Sequence, residues 1–345
     1  MIKNILISTF AILLIIGSST VANAKNLSKK WDKVFPKSDE VTVQKVEFKN
    51  RFGITLVGDL YTLANLNKDE KYPAIAISGP FGAVKEQSSG LYAQELAKRG
   101  FVTLAFDPSY TGESSGTPRH IASPDINSED FSAAVDYLST NKIVDPDKIG
   151  ILGICGFGGF AINTAANDTR IKATVASTMY DMTRVSAKGY NDSVDENGRY
   201  EMKQNLNKQR IKDFQSGNYA KAPGLPEKLT GNEPQFVKDY WGYYKTKRGF
   251  HSRSINSNGN WTVTSSLSLI NLPILQYSNE IRSAVLVVHG EKAHSRYFGE
   301  DAFKKLKGDN KELFIVKDAN HVDLYDNMDK IPFDKIESFY RENLR

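Results

Sequence analysis

The chain has a single cysteine, Cys155, and it follows Lys148-Ile-Gly-Ile-Leu-Gly-Ile, an apolar run that reads as a buried strand. Gly156-Phe-Gly-Gly159 comes next, then the helix-like Phe160-Ala-Ile-Asn-Thr-Ala-Ala166. A nucleophile on a sharp turn between strand and helix is held clear of the backbone, where it can attack an acyl carbon. The thiolate is the attacking form, so a base must lie within hydrogen-bond reach. Among five histidines, His321 lies in Asp318-Ala-Asn-His-Val-Asp323, just past the last apolar strand, where a late base belongs. The base in turn needs an orienting acid, and Glu291 and Asp181, each after an apolar strand, are the candidates. The expectation is that one ring nitrogen of His321 meets the sulfur and the other a carboxylate.

The oxyanion formed on attack needs two backbone N–H groups aimed at it. Gly156, directly after the nucleophile, supplies one. The second is expected from Gly79-Pro-Phe-Gly82, and since Pro80 has no N–H, Phe81 is the candidate. Two positions depart from the usual spacing. Gly153 stands two before the cysteine, but Phe157 stands two after it, where a glycine would let helix and strand approach. Either that side chain is accommodated or the turn is one residue longer. Ala293 fills the place, three beyond Gly290, where an acid ordinarily stands. His294, Ser295 and Arg296 crowd the same turn, either to bind a substrate carboxylate or phosphate or to shape the loop.

These residues need a scaffold. Val41–Phe48 alternates apolar and polar, and Ile54–Tyr61 pairs with it across a turn at Asn50 to Gly53. Tyr72–Ser78, Phe101–Phe106, the Cys155 strand, Ile171–Ser177, Ser283–Gly290 and Lys311–Val316 are apolar runs separated by helical stretches. Phe131, Ala134, Val135 and Leu138 mark one helix face, and Ile336, Phe339 and Tyr340 a closing helix. Strands alternating with helices predict an α/β fold, a mostly parallel central sheet with helices on both faces. From Asp181 to about Ile281 the rhythm stops and the chain becomes polar and rich in Tyr, Asn, Lys and Gly. The reading is a core over residues 25–181 and 282–345 with a cap inserted at 182–281.

Residues 1–24 read as a signal peptide: Lys3, the apolar Ile5 to Ile16, then the small-residue cleavage signal Ala22-Asn-Ala24. An uncleaved N-terminal anchor is the alternative, but the apolar run is short for a stable membrane span. Export would place the mature chain in the periplasm or outside the cell. The formal net charge of +5, with no basic run interleaved with aromatics, argues against nucleic acid as a partner. One cysteine admits no intrachain disulfide, so the thiol is either buried and inert or kept for reactivity.

The stretches around Cys155, Gly82-Ala-Val-Lys-Glu-Gln87, Phe106-Asp-Pro-Ser-Tyr-Thr-Gly-Glu-Ser114, Tyr244-Lys-Thr-Lys-Arg-Gly249, His289-Gly-Glu-Lys-Ala-His-Ser-Arg296 and His321-Val-Asp-Leu-Tyr325 resemble the dienelactone-hydrolase-like α/β-hydrolases. The resemblance is nearest to bacterial proteins grouped with fungal polyketide transferases. It implies an α/β-hydrolase fold with a cap, no metal, no organic cofactor, and a small-molecule acyl substrate. It also implies that Glu86, after the Tyr72–Ser78 strand, modulates the cysteine. The expected activity is hydrolysis of a carboxylic ester, lactone or thioester. Acyl transfer on the same residues and an inactive, ligand-binding scaffold are the alternatives.

Overall fold

The computed structural model describes residues 31–345, so the expected leader at 1–24 lies outside the described residues. In chain order the elements are β1 (Val41–Lys49), β2 (Thr55–Leu63), β3 (Tyr72–Ser78), α1 (Ser88–Lys98), β4 (Val102–Phe106), α2 (Pro124–Ser139), β5 (Val144–Ile154), α3 (Gly156–Ala165) and β6 (Ala173–Ser177). Then come α4 (Met182–Lys188), α5 (Glu196–Ser216), α6 (Gln235–Tyr244), α7 (Ile255–Asn258) and α8 (Ser266–Asn271). The chain closes with β7 (Ala284–Gly290), α9 (Arg296–Lys305), β8 (Lys311–Val316), α10 (Asp323–Asp326) and α11 (Phe333–Asn343).

One eight-stranded sheet runs in the order β1-β2-β4-β3-β5-β6-β7-β8. β1 and β2 form an antiparallel hairpin, β2 is antiparallel to β4, and every other pairing is parallel. The central strands are buried on both faces, which is why they read as unbroken apolar runs. Against one face pack α2 and α3, through Phe131, Val135, Leu138, Phe160 and Ile162. Against the other pack α1 and α11, through Leu91, Leu96, Ile336 and Phe339. Parallel strands joined by helices put their C-terminal ends, and the loops that follow them, along one edge of the sheet. Phe81, Cys155, Thr178, Glu291 and His321 all lie on such loops.

Between β6 and β7 the chain makes the helices α4 to α8. The longest helix among the described residues, α5, lies there, and of its residues only Asp213 is buried. α6 behaves differently: Tyr243 and Tyr244 at its end are fully buried. Among the described residues no helix is long and apolar enough to cross a membrane.

Candidate active site

Cys155 sits between β5 and α3 with φ 57° and ψ −126°. Side chains seldom take up such a conformation, which costs about 1–3 kcal/mol and persists only where its surroundings fix it. Here the Cys155 N–H donates to the Ser177 carbonyl (3.0 Å), and its carbonyl accepts from Gly158 and Tyr180 N–H (2.9 Å each). Close packing explains the glycines. A Cβ on Gly153 would lie 2.0 Å from the Phe157 carbonyl oxygen. Phe157 fits without a longer turn because Gly79, at the end of β3, yields the room. A Cβ there would meet the Phe157 Cβ at 2.8 Å and the Ile154 carbonyl at 2.3 Å. The Phe157 ring packs edge-on to Phe160 and against Phe131.

The sulfur is buried, 6% exposed, and burial pushes its pKa up. The adjoining Tyr325 hydroxyl and the Phe81 and Gly156 N–H groups favour the thiolate and pull the other way. The two backbone N–H groups singled out in the sequence therefore converge on the thiol. The segment between β6 and β7 holds the Phe81 loop: Asn256 Nδ2 donates to the Phe81 carbonyl (2.7 Å), while the Asn256 N–H and Ser254 hydroxyl donate to the Gly82 carbonyl (3.1 and 2.9 Å). Trp261 stacks on the Phe81 ring at 4.2 Å.

His321 is 1% exposed and lies in the same cluster, but its partners differ from those expected. Nε2 meets the Tyr325 hydroxyl at 3.0 Å. Nδ1 meets the Ser295 hydroxyl at 2.5 Å and the Thr178 hydroxyl at 3.0 Å. Neither candidate carboxylate orients the ring. Glu291 accepts from the Asp318 N–H (2.9 Å) at the surface. Asp181 caps α4, accepting from the N–H groups of Thr183 and Arg184 and from the Thr183 hydroxyl. The physical reason is that position 293, three beyond Gly290, is an alanine, while the Glu291 carboxylate is turned to the Asp318 N–H. Ser295, two residues further, reaches the imidazole instead. Thr178 comes from the turn after β6, where it is held at φ 44°, unusual for a β-branched residue. Burial drives the His321 pKa well below the ordinary histidine value, and His294 and His289 push it the same way. At neutral pH the imidazole and the thiol are therefore both uncharged.

The rest of the turn after β7 is engaged by neighbouring side chains. Arg296 pairs with Glu300 at 2.8 Å, and the His294 ring stacks on Phe236 at 4.7 Å and meets the Tyr180 hydroxyl at 3.1 Å. Glu86 also departs from its expected place at the cysteine. Its Oε1 is engaged by Lys85 and Arg253, both at 2.7 Å. Lys85 is fully buried and also pairs with Asp107 (3.0 Å) and Glu113 (2.6 Å). This buried cluster anchors the segment after β3 that carries Phe81, and ties it to the segment between β6 and β7 through Arg253.

A cavity of about 300 Å³ opens onto Cys155. Phe81, Met182, Val185 and Leu225 supply its apolar lining, and Tyr180, Tyr240, Tyr244, Tyr325 and Asn256 the rest. No charged side chain lines it among the described residues. No group of three or more His, Cys, Asp or Glu among the described residues is arranged to hold a metal ion. Sequence reasoning missed Tyr325, Thr178 and Asn256 as site residues, and it named Ser295 for anion binding or loop shaping, not as a partner of the imidazole. Tyr325 stood inside the motif His321-Val-Asp-Leu-Tyr325, but nothing local marked its hydroxyl as the group facing the sulfur.

Comparison with known proteins agrees with this fold. The model of the dienelactone hydrolase family matches residues 60–186. The uncharacterised protein PA2218 of Pseudomonas aeruginosa is 57% identical over 92% of this chain and 85% of its own length. Its crystal structure superposes with a TM-score of 0.89, covering 92% of this chain and 98% of that one. The uncharacterised protein YcjY of Escherichia coli is 34% identical over 82% of this chain and 92% of its own. The thiohydrolase aneE of Aspergillus aculeatus is 35% identical over 40% of this chain and 42% of its own. The chain belongs to the dienelactone hydrolase family of α/β-hydrolases, enzymes acting on ester or thioester bonds.

Proposed function

We propose that the protein hydrolyses uncharged acyl esters or thioesters through a covalent intermediate on Cys155. The observation that carries this reading is the strained Cys155 at the floor of the cavity, with the Phe81 and Gly156 N–H groups aimed at its sulfur. The sulfur attacks the acyl carbon and the carbonyl π pair moves to oxygen, where those N–H groups stabilise the charge. Loss of one such donor typically costs about 10²–10³ in rate. The thiol proton passes to His321. Collapse of the intermediate breaks the bond to the alcohol or thiol, which leaves with a proton from the imidazolium. Water then attacks the acyl-enzyme as the same base takes its proton, and collapse breaks the carbon–sulfur bond, releasing the carboxylic acid while the imidazolium returns a proton to the sulfur.

The substrate class follows from the cavity. An apolar site of about 150 Å³ is enough for benzene. One near 300 Å³ suits a medium-length or aromatic acyl group. With no cationic side chain in the lining, a carboxylate-bearing lactone would lose its hydration without a partner. The partial likeness to a fungal thiohydrolase supports the thioester arm of the reading. The test is turnover of neutral p-nitrophenyl acyl esters and acyl thioesters, with intact-mass detection of an acyl adduct on Cys155. Full activity in Cys155→Ala would refute the mechanism. Turnover of carboxylate-bearing esters as fast as neutral ones would refute the substrate class.

We also propose that the protein is exported, on the strength of the leader-like residues 1–24. N-terminal sequencing of protein recovered from periplasm or medium should begin at Lys25; recovery only of uncleaved protein in the cytoplasm defeats this.

A further inference from the structure

We infer that Tyr325 is the proton carrier between Cys155 and His321, its hydroxyl lying between the sulfur and the imidazole Nε2. This rests on the reading of Cys155 as nucleophile and His321 as base. In the usual arrangement the base touches the nucleophile directly. Here Nε2 is taken by a phenol at 3.0 Å and Nδ1 by two hydroxyls. In the resting state Nδ1–H donates to Ser295 and the Nε2 lone pair accepts the Tyr325 proton. The Tyr325 oxygen is then free to accept from the thiol.

As sulfur bonds to carbon, the S–H proton moves to the Tyr325 oxygen, and the proton that oxygen already held moves to Nε2. Two bonds to hydrogen break and two form. The carrier ends as the neutral phenol it began as, now donating to sulfur and accepting from Nε2–H. No phenolate is needed, and its burial forbids one, since a buried charge without a partner is costly. In deacylation water sends its proton along the same route.

The surroundings fix the carrier on both sides. The Tyr92 hydroxyl donates to the Leu324 carbonyl at 2.8 Å, tying α10 to α1. From the cap, Arg248 forms a two-pronged pair with Asp326 and donates to the Val322 carbonyl at 3.1 Å. Tyr243 and Tyr244 pack edge-on against the Tyr325 ring at 5.1 and 6.1 Å. Such clamping suits a relay, whose atoms must hold hydrogen-bond distance through the reaction.

The test uses Tyr325→Phe, which removes one oxygen and keeps the ring. The expected result is a kcat lower by roughly 10²–10³-fold with KM within about threefold, the size of a lost proton-transfer step. Alkylation of Cys155 by iodoacetamide, followed against pH, reports the coupling without turnover. Wild type should lose reactivity at low pH as His321 protonates. Tyr325→Phe and His321→Ala should both lack that limb and share one profile. A Tyr325→Phe enzyme within threefold of wild-type kcat, or one that keeps the limb His321→Ala lacks, overturns the proposal. If the variant does not fold, the proton inventory of acylation in mixed H₂O and D₂O decides on wild type. Two protons in flight give a curved plot, and a straight one overturns the relay. Activity surviving in Cys155→Ala would instead strike the nucleophile assignment, while the alkylation profiles still report on Tyr325.

Discussion

Gly79 and Gly53 share a positive φ but not an environment, and replacing each by alanine separates strain from site geometry. Their φ values are +97° and +79°, so an alanine at either place pays about 1–2 kcal/mol for adopting the left-handed region. Around Gly53, in the β1–β2 turn, nothing lies within 4 Å of an added Cβ. At Gly79 the same atom would stand 2.3 Å from the Ile154 carbonyl, well inside the 3.0 Å that real Cβ contacts respect. That obstacle is backbone, so the loop must move by something near an ångström, and Phe81 is two residues on. Misplacing one oxyanion donor costs about 10²–10³ in kcat. Gly53→Ala is therefore expected to lower stability by about 1–2 kcal/mol with kcat unchanged. Gly79→Ala is expected to lose more stability and at least 100-fold in kcat. Urea unfolding gives the first quantity and acyl-ester turnover the second, with iodoacetamide labelling of Cys155 as a check that the site is still assembled. A folded Gly79→Ala enzyme with kcat within threefold of Gly53→Ala would falsify the claim that this loop positions the Phe81 N–H.

Ser295→Ala removes the closer Nδ1 partner; Thr178 still satisfies the ring, so kcat/KM should fall only about 3- to 10-fold, the worth of one hydrogen bond, and a 1000-fold loss would mean that Ser295 acts as more than an orienting group. Glu291→Gln should leave kcat within twofold, and Asp181→Ala should lose about 1 kcal/mol through its helix cap with kcat unchanged; a 100-fold fall in either, measured on the same ester, restores a carboxylate to the mechanism. Burial lowers the His289 pKa to about 4, so the unfolded chain takes up that proton first. The stability is whole above about pH 6.5 and shrinks by about 3 kcal/mol as pH falls to 4. Urea midpoints across that range should decline steadily, and a flat series contradicts the buried neutral histidine.

Several features were legible because they are local. The unbroken apolar runs from Tyr72–Ser78 to Ala284–Gly290 record strands covered on both faces, and the order of sheet and helix follows from their alternation. The turn at Cys155 was legible from Gly153 and the helix behind it, and Phe81 from the missing N–H of Pro80. α5 was not legible as a helix: it exposes nearly its whole surface, so no apolar stripe marks its period. Phe157 looked like an obstacle because its clearance comes from Gly79, far away in the chain and adjacent only once β3 and β5 pair.

By itself the sequence determined the sheet, the turn at Cys155, the late histidine and the family. Only the tertiary structure decided what surrounds the imidazole. Thr178 and His321 stand 143 residues apart, and Arg248 and Asp326 78 apart. A hydroxyl or guanidinium leaves no periodic trace in a sequence. Its partner is set by where two loops meet at the end of the sheet, and there an alanine at the acid's place handed the imidazole to serine, threonine and tyrosine.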